Sequence, residues 1–216
     1  MKICGIDEAG RGPVIGSLFI TGVLIDEKDL DKLKKLGVKD SKLILHKKRI
    51  ELAKEIKKIS KIKIIQILPS EIDRAIDEDN KLNLNWLEAN KIAEIINFLN
   101  PQKAVIDCPS PNIPAYTNYV RELLKDKKTE LIVEHKADLK HQIVGAASII
   151  SKVEREKEVS KLKEKYGNIG SGYPSDPTTK EFLEKNYKKY PEIFRKSWAP
   201  FKKLIKNKKQ AKLSDF

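Results

Sequence analysis

Acidic side chains stand at the ends of three apolar segments of this sequence, where they could bind metal ions together. The segments are KICGI, KAVID and ELIVEH, and the acids that end or follow them are Asp7, Glu8, Asp107 and Asp138. Neighbouring strand ends of an α/β sheet converge on one crevice, so these carboxylates would repel one another unless divalent cations held them. Hard oxygen ligands favour Mg²⁺ or Mn²⁺. Because two such ions about 3.5–4 Å apart can activate a water and stabilise a leaving oxygen, the pattern indicates metal-assisted phosphoryl chemistry.

Each of these acids, taken singly, also has a structural interpretation. Asp138 could cap the N-terminus of the helix that follows it, and Asp107 could cap a loop. The metal interpretation therefore depends on the three strand ends taken together.

A glycine-rich turn follows the first pair of acids without a break. Gly10 and Gly12 allow the backbone to turn sharply and to approach another molecule closely, and Arg11 between them offers a charge-assisted contact to phosphate. A turn that leads into a helix cap is the alternative interpretation of this stretch.

The composition indicates a nucleic-acid-binding protein of the cytoplasm. The 216 residues carry a formal net charge of +13, which favours a polyanionic partner, nucleic acid first and an anionic membrane second. Two cysteines, Cys4 and Cys108, provide neither a disulfide framework nor a zinc ligand set. No signal peptide is expected, and no apolar run reaches the length of a membrane span. Trp86 and Trp198 are predicted to anchor the core or helix contacts rather than to stack on bases.

The apolar patterning predicts a mixed α/β sheet, with two strands first and then strands that alternate with helices. Strands are predicted over 2–6, 13–25, 61–68, 103–107 and 130–135, and the first two are expected to pair antiparallel. Helices are predicted over 26–36, from the DSK of 40–42 to about Ser60, and over 69–78, 83–100, 114–125 and 139–166.

Five stretches of the sequence together resemble the ribonuclease HII family, the type 2 ribonucleases H, and its archaeal branch in particular. They are GIDEAGRGPVIG, the DSK of residues 40–42, AVIDCPSP, HKADLKHQIVGAASIISKVERE and GSGYPSDP. They occur in order from residue 3 to about residue 200, so the resemblance covers nearly the whole chain. It implies a ribonuclease H-like fold: a five-stranded mixed sheet flanked by helices, with a small helical C-terminal extension. The catalytic core is then expected over 1–169, the helical extension over 170–205 and a basic tail over 206–216.

The resemblance also implies roles for individual residues of this chain. The metal-binding and catalytic carboxylates would be Asp7, Glu8, Asp107 and Asp138, holding Mg²⁺ or Mn²⁺, with two ions present when substrate is bound. The residues implied to contact substrate are Gly10, Arg11 and Gly12 at the ribose 2′-hydroxyl and adjoining phosphates, Tyr173 on the sugar next to the cut, and Lys42 on a backbone phosphate. The 2′-hydroxyl distinguishes RNA from DNA at one residue, so a close-fitting backbone loop suits that role.

The activity implied is that of an endoribonuclease on the RNA strand of RNA–DNA hybrids and on single ribonucleotides embedded in duplex DNA. Cleavage on the 5′ side of the ribonucleotide would leave 3′-hydroxyl and 5′-phosphate ends. Two alternatives remain open at this point. One is another acid-cluster nuclease on the same fold, such as a junction resolvase, and the other is a non-catalytic protein that binds hybrids. Gly10, Gly12 and Tyr173 distinguish the first alternative, because a resolvase does not need to read a 2′-hydroxyl.

The last seven residues contain a second, independent pattern. Gln210, Leu213 and Phe216 are spaced at i, i+3 and i+6, so on a 3₁₀ turn they would lie on one side. The pattern resembles the peptide by which replication proteins bind a PCNA-type sliding clamp, although that peptide usually ends in two aromatic residues. A basic tail with an accidental match is the alternative. No membrane partner is expected, and a monomer is predicted because no apolar surface stripe is evident.

Overall fold

The computed structural model describes residues 1–38, 44–76 and 82–213, and within them the chain builds a five-stranded mixed sheet. The strand order is β3-β2-β1-β4-β5, with β1 antiparallel to β2 and parallel to β4, and with β4 parallel to β5. The predicted five-stranded sheet and its antiparallel first pair are thus confirmed. The strands are β1 Lys2–Ala9, β2 Leu18–Asp26, β3 Lys61–Ile67, β4 Lys103–Asp107 and β5 Glu130–Glu134.

Helices connect the strands and follow them. In the described residues they are α1 Leu30–Lys35, α2 His46–Ile59, α3 Pro69–Ile76, α4 Leu84–Leu99, α5 Ile113–Leu123, α6 Ala137–Lys140, α7 Gln142–Tyr166, α8 Pro177–Asn186 and α9 Ala199–Leu213, with 3₁₀ turns at Glu27–Asp29 and Pro191–Ile193. None of them is both long enough and apolar enough to cross a membrane, within the part of the chain that the structure describes.

Several predicted elements differ from the observed ones. The helix predicted from the DSK of 40–42, which lies outside the described residues, begins only at His46, because residues 44 and 45 are not helical. The strand predicted from residue 13 begins only at Leu18, because residues 13–17 make their contacts outside the ladder, including the bridge of Ile15 with Phe194. The helix predicted over 139–166 is interrupted at His141, which is extended between α6 and α7. The stretch from residue 206, predicted as a basic tail, is helical as far as Leu213, since lysine, glutamine, alanine and leucine are all good helix formers.

The chain divides into two compact units, and neither is one continuous segment. Unit 1 comprises Met1–Ala9, Phe19–Gln66 and Leu84–Arg155, whereas unit 2 comprises Gly10–Leu18, Ile67–Asn83 and Glu156–Phe216. Apolar side chains from the strands and from the first half of α7 form a core of unit 1, among them Ile3, Val23, Val105, Val144, Ala147 and Ile150. The core of unit 2 is more aromatic and includes Val14, Ile169, Phe182, Ile193, Phe194 and Phe201.

The first turns of α7 approach β1 unusually closely, and Gly5 makes this possible. A Cβ atom on Gly5 would overlap the backbone carbonyl of Ile143 and would lie 2.6 Å from the amide nitrogen of Val144. Because no side chain intervenes, the helix packs directly on the strand that ends in Asp7. The strand and the helix thus form one rigid support.

Gly5→Ala is therefore expected to lower the free energy of unfolding by about 3 kcal/mol, at the upper end of what overpacking costs. Urea denaturation followed by circular dichroism measures this value. Lys2→Ala on the same strand, at an exposed position, serves as the control and should change stability by less than about 0.5 kcal/mol. Equal stabilities of the two variants would contradict the close packing of α7 on β1.

Candidate active site

Parallel strands β1 and β4 bring two of the predicted acids to one edge of the sheet. Ile6 and Ile106 are register partners, and Asp7 and Asp107 are the next residues along the two strands. Asp138 lies in α6, and one carboxylate oxygen from each of these three aspartates lies within 4.8 Å of the others. The structure thus brings together acids from two strands and one short helix.

The surroundings of Asp7 make its negative charge costly. Asp7 and Asp138 are 6% and 7% exposed, and Asp107 is half-buried. Burial raises the pKa of Asp7 well above its ordinary value of 3.8, and the charges of Glu8 and Asp107 raise it further, although a hydrogen bond from Ser148 opposes this. In the folded chain, a nearby cation is what would keep this group ionised.

The position of Asp138 is set from both ends of α6. Lys136, in the left-handed conformation with φ of 57°, precedes the helix, and the amide of Ala137 donates to Asp107 Oδ1 at 3.2 Å. At the other end, Glu134 at the end of β5 accepts hydrogen bonds from Lys140 Nζ and pairs with His141 Nε2. The Lys140 hydrogen bond is the largest cause of the lowered pKa of Glu134. Asp138 is therefore a residue within α6 and not the N-cap of the long helix.

Glu8 lies outside the set of three acids that approach within 4.8 Å. Successive side chains of a strand point to opposite faces, so adjacent residues of β1 do not project to the same point. The amide of Glu8 donates to Asp7 Oδ1 at 2.8 Å, and its half-buried charge acts on Asp7 as described. A role for Glu8 as a metal ligand stays a prediction.

Hydroxyl groups of β2 and α7 support the strand that carries Asp7. Ser151 Oγ donates to the backbone carbonyl of Asp7 at 3.1 Å and lies 2.8 Å from Thr21 Oγ1. Both hydroxyl-bearing residues are buried. The three aspartates therefore present hard oxygen donors on a fixed frame, and this donor set fits a divalent cation such as Mg²⁺ or Mn²⁺.

The predicted substrate loop of residues 10–12 belongs to unit 2 and is held by its carbonyl groups. Gly10 has a φ of 90°, a conformation that residues with a Cβ atom rarely adopt. The guanidinium of Arg195 donates to the carbonyls of Gly10, Arg11 and Gly16, at 2.6, 3.0 and 2.9 Å. Trp198 Nε1 donates to the carbonyl of Gly12 at 3.3 Å.

Tyr173 lies beside this loop within the same unit. Tyr173 is 39% exposed, and a Cβ atom on Gly12 would lie 3.3 Å from its Cε1 atom. The amide of Val14 donates to the carbonyl of Gly172 at 2.8 Å, and the amide of Gly172 donates to Thr179 Oγ1 at 2.9 Å. The backbone next to Tyr173 is thus held in place, and Tyr173 itself is accessible from solvent.

Asp176 organises the turn that carries Tyr173. It accepts hydrogen bonds from the amides of Ser171 and Thr178. The Ser171 amide is the largest cause that lowers the pKa of Asp176 to about 2. The turn therefore contains a carboxylate that stays ionised throughout the physiological pH range.

The remaining predicted site residues cannot all be placed. Lys42 and Phe216 lie outside the described residues. Gln210 is exposed on α9, and Leu213 ends that helix, so residues 210–213 are α-helical rather than part of the predicted 3₁₀ turn.

Arg195 is the site residue that the sequence did not reveal. Lysine and arginine together number 44, and nothing in the stretch FRKSW separates the one buried there from the others. Only the fold shows that Arg195 is fully buried, and burial is what makes an arginine unusual.

Comparison with known proteins identifies the family that this chain resembles. A family model described as ribonuclease HII matches residues 4–201. The ribonuclease HII of Methanococcus maripaludis (strain C6) is 45% identical over 218 residues, which cover 98% of this chain and 90% of that protein.

Solved structures give the same result. The crystal structure of the ribonuclease H2 from Pyrococcus horikoshii OT3 matches with a TM-score of 0.87 and 43% identity, covering 96% of this chain and 98% of that one. A structure of the PCNA:RNase HII complex from Archaeoglobus fulgidus matches with a TM-score of 0.78 and 42% identity, covering 85% and 86%. The predicted ribonuclease H-like fold is confirmed.

In a chelating buffer, Asp7→Asn is expected to melt at a higher temperature than the unsubstituted protein, and the difference should grow as pH rises from about 4 to about 7. The pKa of Asp7 is raised in the folded state, so the folded protein binds more protons than the unfolded chain above pH 3.8, and stability falls with rising pH. The uncharged amide of Asp7→Asn removes this dependence of stability on pH. Thermal unfolding at several pH values measures it.

Asp31→Asn on α1, at an exposed position, is the matched control. Its melting temperature should equal that of the unsubstituted protein at each pH. Adding Mg²⁺ should raise the melting temperature of the unsubstituted protein more than that of Asp7→Asn, because the variant lacks one ligand. A difference that is constant with pH would contradict the raised pKa of Asp7.

Proposed function

Since this chain belongs to the ribonuclease HII family, and is therefore a metal-dependent endonuclease acting on the RNA strand of RNA–DNA hybrids, we propose that it also nicks duplex DNA on the 5′ side of a single embedded ribonucleotide. The products would be a 3′-hydroxyl and a 5′-phosphate. The observation that carries the proposal is the convergence of Asp7, Asp107 and Asp138 within 4.8 Å. The exposed Tyr173 beside a fixed glycine loop supports the choice of substrate.

The acids are proposed to hold two divalent cations, Mg²⁺ or Mn²⁺, when substrate is bound, and they are Asp7, Glu8, Asp107 and Asp138. When bound, such ions supply an activated water and positive charge at the departing oxygen. The chain itself positions the carboxylates. The strand ends and α6 hold the carboxylates at short separation before any substrate arrives, which is the preorganisation that favours catalysis.

Gly10, Arg11 and Gly12 are proposed to read the ribonucleotide through their backbone, with Arg11 on a neighbouring phosphate and Tyr173 stacked on the sugar. The fixed carbonyls of this loop support that role, because a loop held from one side can present its other side to a ligand without reorganising. Lys42 is proposed as a further phosphate contact on the basis of the sequence resemblance alone.

Family membership decides against the two alternative functions. A junction-resolvase-like nuclease would share the acids with this chain, and a non-catalytic hybrid-binding protein would share its positive net charge. The match of residues 4–201 to the ribonuclease HII model supports neither of these two functions.

The C-terminal residues are proposed to bind a PCNA-type sliding clamp through Gln210, Leu213 and Phe216. The relative from Archaeoglobus fulgidus, 42% identical to this chain, was solved as a PCNA:RNase HII complex. Binding would require residues 210–213 to leave the α-helix of α9 if the 3₁₀ turn expected from their spacing is what the clamp accepts.

A labelled DNA duplex containing one ribonucleotide tests the proposed activity, with Mg²⁺, with Mn²⁺ and with chelator. We expect a metal-dependent nick immediately 5′ of the ribonucleotide and none in an all-DNA duplex. Asp7→Asn should reduce the rate by at least about 100-fold, because even residues that only orient metal ligands cost 10- to 100-fold when changed. Asp31→Asn should cleave normally.

Two outcomes would contradict the proposal in different ways. Cleavage of the RNA–DNA hybrid but not of the single-ribonucleotide duplex would restrict the substrate to longer RNA tracts. Metal-dependent cleavage of all-DNA duplex would keep the acids as the catalytic centre and remove the glycine loop as the element that selects the ribonucleotide.

Deletion of residues 210–216 tests the clamp proposal separately. Binding to a PCNA-type clamp, measured by surface plasmon resonance, should be lost, whereas hydrolysis of a hybrid without clamp should be unchanged because no acid or loop residue is touched. Loss of both would show that the segment supports the fold instead. A substitution of Lys206 on the preceding turn of α9 is the control and should preserve clamp binding.

A further inference from the structure

Arg195 is the largest fully buried side chain among the described residues, and it points at a loop rather than at the hydrophobic core. Its relative exposure is 0%. Three of its nitrogen atoms donate to three different carbonyl groups, those of Gly10, Arg11 and Gly16. A buried guanidinium is costly unless its donors are satisfied, so this arrangement stabilises the loop only in the conformation that offers all three acceptors.

Trp198 adds a further hydrogen bond to the same loop. Its indole nitrogen donates to the carbonyl of Gly12 at 3.3 Å, and its ring lies 4.9 Å from the guanidinium carbon of Arg195. Three consecutive carbonyls, those of residues 10, 11 and 12, are therefore turned towards the same pair of side chains. The stacked pair holds them as a unit.

The geometry of the peptide bond then fixes where the amides of the loop point. In a trans peptide the C=O of one residue and the N–H of the next are antiparallel, and no cis peptide occurs in the described residues. Since the carbonyls of Gly10 and Arg11 face Arg195, the N–H groups of Arg11 and Gly12 point away from it. The following residue, Pro13, has no N–H to contribute.

The charge of Arg195 also strengthens those two amides as donors. A charged donor polarises the carbonyl to which it binds, and chains of hydrogen bonds through a peptide group reinforce one another in a medium of low dielectric. The N–H groups of Arg11 and Gly12 are thus suited to an acceptor oxygen of a sugar or a phosphate.

The backbone on both sides of Arg195 is itself pinned within unit 2. The amide of Arg195 donates to the carbonyl of Val14 at 2.9 Å. Asp73 on α3 accepts from the amides of Lys196 and Ser197, both at 2.9 Å, and from Ser197 Oγ at 2.6 Å. The guanidinium is therefore held in place by a network that extends to a helix far away in the sequence.

We infer that Arg195, assisted by Trp198, is the positioning residue that aims the amides of Arg11 and Gly12 at the ribonucleotide. This inference rests on the proposed function of the loop. Arg195 acts on the substrate through the loop and not by direct contact, because it is fully buried behind it.

Steady-state kinetics with the duplex containing one ribonucleotide tests this role, with an all-DNA duplex of the same sequence as competitive inhibitor. Arg195→Lys keeps the charge but has one nitrogen in place of a fork, and it should lower kcat/KM by about 10- to 100-fold, the scale of a small misplacement of binding groups. Trp198→Phe keeps the stacked ring and removes one hydrogen bond, and it should lower kcat/KM by about 5-fold.

The diagnostic result is a rise of KM for the ribonucleotide substrate with no change in the inhibition constant of the all-DNA duplex. A merely structural role would reduce the amount of active enzyme, so kcat would fall while KM stayed constant. Arg121→Lys is the matched control, because Arg121 also donates to two backbone carbonyls, those of Lys127 and Thr129. It should behave as the unsubstituted protein.

An unchanged KM in both Arg195→Lys and Trp198→Phe would overturn the inference. If Arg195→Lys fails to fold in a thermal-unfolding assay, Trp198→Phe alone decides. If the unsubstituted protein does not nick the single-ribonucleotide duplex, the proposed function fails, and the same variants compared on an RNA–DNA hybrid still test the inference.

Discussion

Repulsion between carboxylates is the constraint on which this structure depends. Three aspartates with oxygens within 4.8 Å of one another, two of them buried, would separate if the backbone allowed it. Parallel strands fix two of them, α6 is anchored at both its ends, and α7 packs on β1 at Gly5 without an intervening side chain. The rigid frame keeps the acids together, so a bound cation relieves the strain that the fold maintains.

The acids of unit 1 and the loop of unit 2 are supported in two different ways. The acids are presented by side chains at the ends of regular elements, where register alone decides their separation. The loop of residues 10–12 presents its backbone, which has no rotamer to set, and it therefore needs hydrogen bonds to each carbonyl. Arg195 supplies two of these from one planar group, which a lysine could not do in the same geometry.

Much of this organisation follows from local sequence, and the exceptions have physical causes. The strand predicted over 103–107 is found at those residues, because a short apolar run between turn residues has few alternatives. The N-cap role considered as an alternative for Asp138 is not found, since the helix is broken at His141, which pairs with Glu134 of β5. The role of Arg195 could not be predicted, because its burial depends on contacts with residues almost a whole chain length away.

Those separations have a consequence for the order in which the protein is made. The hydrogen bonds of Arg195 join residues 179 to 185 positions apart. On the ribosome, Gly10 leaves the exit tunnel early, but Arg195, which donates to its carbonyl, is translated near the end. The acids, in contrast, are complete once residue 138 has been added. A nascent chain thus contains all the acids proposed to bind metal well before it contains Arg195, the side chain that, on our inference, positions the loop that selects a ribonucleotide.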